Sequence, residues 1–205
     1  GPFLAGYFEG LKEAGFFVVG QSVFRIMEAV IVAFGLVALP KVSQLLAGEN
    51  EDFLKSKIED LLIMIFQLGL FIAIHTFIWS KEIILIWLGS EYQGVVPIMK
   101  IIILSLGPYL AYVLLRSIVD AVEVRAINTL NLAISLIFAA VISLIFVYIG
   151  FGVVGLAIGT TSGFAILGIM TSYYLMKRYL ISFKNFMFRW VLSLNILFAG
   201  IVVIM

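Results

Sequence analysis

The chain has 205 residues, of which 63% are hydrophobic and 12% are charged. A soluble fold of this length cannot bury so much apolar surface, so the composition excludes a soluble globular protein. The net charge of +1 gives no reason to expect a nucleic-acid partner, and the lack of cysteine excludes disulfides and thiolate sites. We therefore expect an all-α, polytopic transmembrane helix bundle whose main surroundings are the lipid bilayer.

Six apolar segments have the length and hydropathy of membrane-spanning helices. In chain order they cover residues 15–39, 58–79, 96–119, 127–149, 153–176 and 190–205. The sixth is shorter than the roughly 20 residues that a full crossing requires. The chain also begins without a signal-peptide pattern and ends inside an apolar run. These features predict a fragment of a longer chain, with at least one span before the first segment.

The basic residues predict the orientation of the six segments. If the segments alternate across the membrane, nine lysines and arginines fall on one side and three on the other. The positive-inside rule then places the loops at 40–57, 116–126 and 177–189 in the cytoplasm. The first segment would run inward, in a multi-pass protein of the cytoplasmic (cell) membrane.

Arg25 and Glu28 lie near the middle of the first segment. A charged side chain there costs roughly 2.5 to 3.5 kcal/mol on insertion scales, so something must offset that cost. Their spacing of three residues places both on one helix face. Because ionisable groups inside membranes usually line pathways, we predict that the pair faces a substrate cavity. The alternative is an intrahelical ion pair that only fixes the rotation of the helix.

The loops around the second segment carry helix-start and turn signals. Asn50 precedes two acidic residues, which predicts an N-cap and a cytoplasmic extension of the second helix. Residues 83–88 are apolar but too few to cross, so we expect them to lie at the outer interface or to dip back. Glycines and a serine in 89–94 predict a turn that leads into the third segment.

The third segment contains a candidate hinge and a candidate gate. Gly107 and Pro108 lie near its centre and predict a kink, because proline removes a backbone hydrogen bond and clashes with the preceding turn. The kink is either a hinge between inward-open and outward-open states or a static bend, and the sequence leaves both open. Arg116 and Asp120, one turn apart at the cytoplasmic end, are the candidate gate. The alternative is an ordinary interfacial pair that reaches the headgroups.

Small and polar residues suggest how the other helices pack. Gly155, Gly159 and Gly163 form a stripe on the fifth segment that lets a second helix approach closely. We predict packing within the chain, with self-association as the alternative. Gln67 and His75 in the second segment are expected to form local hydrogen bonds.

The chemistry-bearing motifs of enzymes do not appear. The sequence has no phosphate-binding loop with a lysine, no paired-histidine helix and no nucleophile elbow. Its one histidine cannot form a metal cluster, so we expect neither an enzyme nor a bound cofactor or metal. Residues 177–190 interleave apolar side chains with four basic ones, which is typical of a helix lying among lipid headgroups.

Several short motifs follow one another in a recognisable order. The first segment starts with a glycine and two aromatic residues, Gly15 to Phe17, and ends in Pro-x-x-Ser at Pro40 and Ser43. A Leu-Gly-x-x-Tyr turn follows at Leu88 to Tyr92. The start of the fourth segment contains Asn128 and Asn131, and a glycine-rich turn covers 150–157. This order resembles the Wzx-like polysaccharide flippases of the multidrug/oligosaccharidyl-lipid/polysaccharide superfamily, over about residues 5–179. The resemblance implies an alternating-access transporter with two lobes. Residues 1–180 would form a polysaccharide-biosynthesis C-terminal-type domain, and 181–205 an interfacial segment and the start of a truncated span.

The resemblance also implies partners and roles. The parent protein would translocate lipid-linked oligosaccharide or polysaccharide precursors across the cytoplasmic membrane, together with an N-terminal lobe that this chain lacks. Arg25 would contact the anionic diphosphate or an acidic sugar, and Glu28 would hold or release it. One alternative is a cation-coupled multidrug or metabolite exporter of the same superfamily, in which Glu28 binds the cation. The other is a non-transporting membrane scaffold that associates through the glycine stripe.

Overall fold

The computed structural model describes residues 10–46, 51–122 and 125–204, and within these ranges the backbone forms helices and turns without a strand. The eight α-helices of the described ranges are α1 Leu11–Leu46, α2 Glu51–Ile78, α3 Ser80–Leu88, α4 Val95–Ile103, α5 Leu106–Val122, α6 Ile127–Phe146, α7 Gly152–Arg178 and α8 Phe183–Ile204. The predicted all-α class is confirmed.

Two helical stretches are long and apolar enough to cross a membrane. They are Phe53–Ile78 and Ile127–Arg178, which contain 18-residue windows with mean hydropathies of 2.3 and 2.8, respectively. A third candidate is broken and consists of Val95–Ile103 and Leu106–Asp120. The lengths are consistent with a membrane protein, and by this criterion the described residues contain two spans, or three if the bent pair is one.

The longer of these stretches folds back on itself at Gly150, which has a φ of +98°. Glycine adopts this backbone conformation with little strain because it has no Cβ. A Cβ added at Gly155 would lie 2.9 Å from a Phe146 carbon, and one added at Gly163 would lie 2.6 Å from the Ala139 Cβ. Helices α6 and α7 are therefore antiparallel, and the glycine stripe is the surface on which they meet. The predicted packing within the chain is confirmed.

The predicted kink in the third segment is also confirmed, as a 52° bend between α4 and α5. Pro108 has no amide hydrogen to donate to the Leu104 carbonyl, so the helical ladder is interrupted one turn before the proline. There the Leu104 amide donates to Ile101 at 3.3 Å, and the Ser105 amide donates to Ile102 at 3.2 Å. These shorter-range bonds locate the break at residues 104 and 105.

Glycines of α2 and α7 lie in close contact with this bend. A Cβ added at Gly69 of α2 would overlap the backbone of Gly107, and one added at Gly168 of α7 would overlap the Pro108 carbonyl. Only a residue without a side chain allows backbones to approach this closely. The bend is therefore packed tightly between α2 and α7.

The core lies around α4 and α5. Helix α1 packs on both of them, α2 packs mainly on α5, and α7 contacts α4, α5 and α6. The central side chains are apolar and almost fully buried: Phe17, Phe24, Ile58, Leu62, Ile98, Ile102, Leu110, Leu115, Leu156 and Leu175. By contrast, Leu136 and Ile137 on the outer face of α6 are mostly exposed, which suits a face turned toward lipid.

Some predicted boundaries differ from the structure. Helix α1 continues past Pro40 to Leu46, because a single proline removes only one hydrogen bond from a long helix. Residues 177–190 do not form one headgroup helix, since α7 ends at Arg178, Leu180 has a φ of +52° and α8 begins at Phe183. The predicted N-cap, residue 50, lies outside the described residues, although α2 does begin at the next position.

The region between α2 and α4 follows its prediction more closely. Residues 83–88 belong to the short helix α3, where Ile84 is buried while Leu85, Ile86 and Trp87 are exposed. The turn that follows contains Gly89 with a φ of +92° and a single 3-10 turn, Ser90–Tyr92. The predicted turn is confirmed, and the apolar surface of α3 suits an interfacial position.

An ion cluster joins α8 to α2. The Arg189 guanidinium contacts Glu59 at 2.9 Å and Asp60 at 2.6 Å. These contacts raise the pKa of Arg189 above its ordinary value, chiefly through the hydrogen bond with Asp60. The Glu59 side chain is only 12% exposed, and its other oxygen is buried without a hydrogen-bond partner among the described residues. Arg189 therefore compensates a carboxylate that water reaches poorly.

Replacing Arg189 by alanine is expected to destabilise the protein by about 1 to 3 kcal/mol, because it leaves the Glu59 carboxylate uncompensated. Unfolding of the purified protein in detergent measures this loss. The matched control is Lys184→Ala, a change to an exposed cation on the same helix. Adding Glu59→Gln to the Arg189 variant should recover part of the loss, and equal stability of all variants would contradict this role.

Candidate functional site

The charged pair of the first segment lies where α1 meets α5 and α7. Arg25 and Glu28 line one pocket together with Gln21, Phe24, Tyr109 and Phe164. The sequence brings α1 here because Phe24 and its buried neighbours face the core, and Glu28 follows Phe24 by one helical turn. The predicted pair therefore faces a junction of three helices.

The floor of this pocket is aromatic. The rings of Phe24 and Phe164 stack with their centroids 5.3 Å apart, and Tyr109 lies 5.4 Å from Phe24 and 4.5 Å from Phe164. Such a cluster excludes water and lowers the local dielectric constant. Charges at its edge therefore interact more strongly with one another and with a ligand than they would in water.

The two charged groups have different surroundings. Glu28 is half-buried and shares a side-chain hydrogen bond with Tyr109 of α5. Arg25 is exposed, on the side of the pocket that the described helices leave open. Within the described residues no salt bridge joins Arg25 to Glu28, so the intrahelical ion pair of the alternative interpretation is not formed here. The pair instead presents an accessible cation beside an anchored carboxylate.

The free volume of this pocket limits the size of the ligand that it can hold in this conformation. The pocket contains about 10 Å³ of free space, enough for a single water molecule. Ligand sites of proteins commonly measure roughly 300 to 1,000 Å³. A larger ligand therefore reaches Glu28 only if α1 separates from α5 and α7, whereas Arg25 is accessible without such a movement.

The candidate gate residues lie at the junction of α5 and α6. The Asn128 amide donates to the Asp120 carboxylate at 2.8 Å and to the Arg116 backbone carbonyl at 2.9 Å. No salt bridge between Arg116 and Asp120 is present in this described region. Asn128 therefore ties the end of α5 to the start of α6, and the gate remains a prediction.

Sequence reasoning missed two contributors to these sites. Tyr109 directly follows the kink proline, but nothing in its local spacing indicates that it approaches Glu28 of α1. The position of Asn128 indicates only a helix start, and its contact with Asp120 depends on how α5 and α6 meet. Both contacts are tertiary, so helical periodicity alone could not reveal them.

Of the polar residues Gln67 and His75 of α2, His75 forms the expected local hydrogen bond, whereas Gln67 forms a bond between helices instead. The His75 ring lies 2.8 Å from the Phe71 carbonyl oxygen, within the same helix. Gln67 donates to the Ser193 hydroxyl and so links α2 to α8. These contacts give neither residue a ligand-binding role.

Neither metal chemistry nor similarity adds a further site. Among the described residues, no group of three or more histidine, aspartate or glutamate side chains is placed to hold a metal ion. The geometry at α1, α5 and α7 therefore carries the functional argument. Comparison of the chain with known proteins found no matching family model, no matching curated protein and no matching solved structure.

Proposed function

We propose that the chain forms part of a flippase that moves lipid-linked oligosaccharide or polysaccharide precursors across the cytoplasmic membrane by alternating access. One observation carries the proposal. Midway along an apolar helix, the Glu28 carboxylate is anchored to Tyr109 of another helix while the Arg25 guanidinium remains accessible. A charge that only stabilised the fold would be paired with an opposite charge, as Arg189 is, whereas Arg25 is accessible to a ligand and forms no salt bridge among the described residues.

A six-span arrangement fits the helix contacts. In this proposal α1, α2, the bent pair α4 and α5, α6, α7 and α8 each cross the bilayer. The Arg189 contacts bring the start of α8 beside the start of α2, which the charge distribution assigns to the same cytoplasmic side. The antiparallel pair α6 and α7 fits the alternation between those elements.

The chemistry of the pair suits a diphosphate ligand. The planar guanidinium of Arg25 donates two parallel hydrogen bonds to phosphate oxygens, and it does so more strongly in a water-poor site. The Glu28 carboxylate repels the same phosphate and so favours its release once the ligand moves past Arg25. Binding and release are both needed for transport.

The bend at Gly107 and Pro108 supplies the conformational change in this proposal. Its interrupted hydrogen bonds tolerate changes of angle at residues 104 and 105. The backbones of Gly69 and Gly168 lie against it, and contacts between small residues permit helices to slide over one another. Arg116 and Asp120, at the far end of α5, would move as a gate when the angle changes.

A second candidate is a cation-coupled exporter of drugs or metabolites. The observation that favours it is the anchored carboxylate of Glu28, because an acidic side chain held midway through a membrane is suited to binding a proton or a sodium ion. The scaffold alternative loses its main support, since α6 covers the glycine stripe of α7.

Translocation by the intact protein in sealed vesicles separates these functions. A flippase should bring lipid-linked oligosaccharide to the opposite leaflet, where a membrane-impermeant glycosidase cleaves it. An ion-coupled exporter should instead accumulate a soluble cation or drug in response to a sodium or proton gradient and leave the lipid-linked sugar untouched. The second result would contradict the proposed substrate class.

A further inference from the structure

An apolar pocket of about 400 Å³ lies beside the bend, between α2, α5 and α8. It extends along α2 from Phe66 to Ile78, a distance of about 18 Å at the rise of an α-helix. Leu104 and Pro108 form its wall at the bend, and Trp190 closes it on the α8 side. The pocket follows α2 over this length and has the volume of a ligand site.

The bend itself opens this pocket. Because Pro108 breaks the helical ladder, α4 and α5 diverge by 52° and leave a notch over α2 that their side chains do not fill. Leu104, at the break, remains 58% exposed. Nearly all of the lining is hydrocarbon or aromatic, and such cavities do not retain water. Only an apolar group, such as a hydrocarbon chain, occupies this space favourably.

The side-chain ammonium group of a lysine lies at one end of the pocket. The Lys100 ammonium of α4 lies 4.8 Å from the centroid of the Phe77 ring, and Phe77 lines the pocket. In the part of the chain that the structure describes, no carboxylate forms a salt bridge with Lys100. Its charge is therefore available to an anion positioned directly beside an apolar channel. Phosphate next to hydrocarbon is the chemistry of a phospholipid.

We propose that this pocket binds an anionic membrane phospholipid, with one acyl chain along α2 and its phosphate at Lys100. The lipid fills the notch that the proline creates and so supports the bent form of α4 and α5. The acyl chain comes from the hydrocarbon of the bilayer, so van der Waals packing in the notch, rather than removal from water, favours its binding. The lysine selects for negative headgroups. The site does not depend on the proposed transport, because none of these groups belongs to the pocket of Arg25.

Fluorescence of Trp190 tests the site, because its indole ring forms part of the pocket wall. The intact protein with Trp190 as its sole tryptophan is reconstituted in vesicles that contain phosphatidylglycerol or phosphatidylcholine brominated in mid-chain. Bromine quenches tryptophan on contact. We expect an association constant about fivefold higher for the brominated anionic lipid, the factor that one lysine near the membrane surface contributes.

Two lysine variants test whether Lys100 causes the preference for the anionic lipid. Lys100→Gln should abolish the anionic preference, whereas Lys81→Gln, which removes an exposed cation from α3, should retain it. Ala73→Leu adds bulk inside the pocket and should reduce quenching by both lipids. A second protein with Trp87 as its sole tryptophan reports on bulk lipid beside exposed α3, and its quenching should be insensitive to Lys100→Gln.

The contrary outcomes are equally clear. Equal quenching of Trp190 by the two lipids, or a preference that survives Lys100→Gln, would overturn the assignment of the headgroup site. Absence of quenching by any bilayer lipid would show that another protein segment or a transported lipid chain fills the pocket. That result would overturn the proposal while leaving transport unaffected.

Discussion

Replacing Arg25 by alanine should abolish export of lipid-linked oligosaccharide by the intact protein without lowering its abundance in the membrane. The guanidinium is exposed and has no salt bridge with Glu28, so its removal should cost little stability. In the proposed mechanism it provides two charge-assisted hydrogen bonds to the diphosphate, which together contribute about 3 kcal/mol or more. We therefore expect the transport rate to fall roughly a hundredfold.

The conservative variant Arg25→Lys should retain partial export, because an ammonium keeps the charge but loses the paired geometry. Arg178→Ala, which removes an exposed cation at the end of α7, is the matched control and should export normally. Export is measured as labelled oligosaccharide delivered to the outer side, and abundance is measured by immunoblotting of membranes. Normal export by Arg25→Ala would contradict the assigned role.

The second large effect concerns the bend. Gly168→Ala should destabilise the protein by about 3 kcal/mol, the upper part of the range for overpacking, because the added Cβ overlaps the Pro108 carbonyl. The obstacle is backbone rather than the end of a flexible side chain, so α7 and α5 must move apart. Unfolding in detergent, followed by circular dichroism, measures the loss.

A matched glycine controls this experiment. A Cβ added at Gly15 of α1 meets nothing within 4 Å, so Gly15→Ala should be neutral or slightly stabilising through its better helix propensity. If Gly168→Ala and Gly15→Ala unfold under the same conditions, the close approach of α7 to the bend is wrong.

Local rules predicted much of the fold. The hydropathy of the second segment predicted α2, and the proline at 108 predicted a bend whose position follows from the carbonyl four residues earlier. The spacing of four between glycines predicted close packing within the chain, and the structure identifies α6 as the partner. Each of these signals acts within one helix or on its surface, so the sequence carries it directly.

The contacts around the candidate site could not be predicted in this way. The three-residue spacing of Arg25 and Glu28 indicated that they share a face, but the structure links Glu28 to Tyr109 of another helix. Similarly, the contact of Gly168 with Pro108 depends on the angle between α5 and α7. Interhelical partners follow from packing, which no local periodicity encodes.

The accessibility of Arg25 to water midway along α1 is the central claim, and thiol labelling tests it most directly. Because the chain contains no cysteine, one can be placed at Gln21, in the same pocket, without disturbing the charged pair. A thiol reacts only as the thiolate, which forms in water and not in hydrocarbon. A second protein carries the cysteine at Ile137, midway along the outer face of α6.

The account predicts that a membrane-impermeant thiol reagent labels the intact protein with Gln21→Cys and leaves the one with Ile137→Cys unlabelled. Labelling at Gln21 should also be slowed by added lipid-linked oligosaccharide. If the cysteine at Gln21 is as unreactive as the one at Ile137, Arg25 is buried away from water and the central claim is wrong.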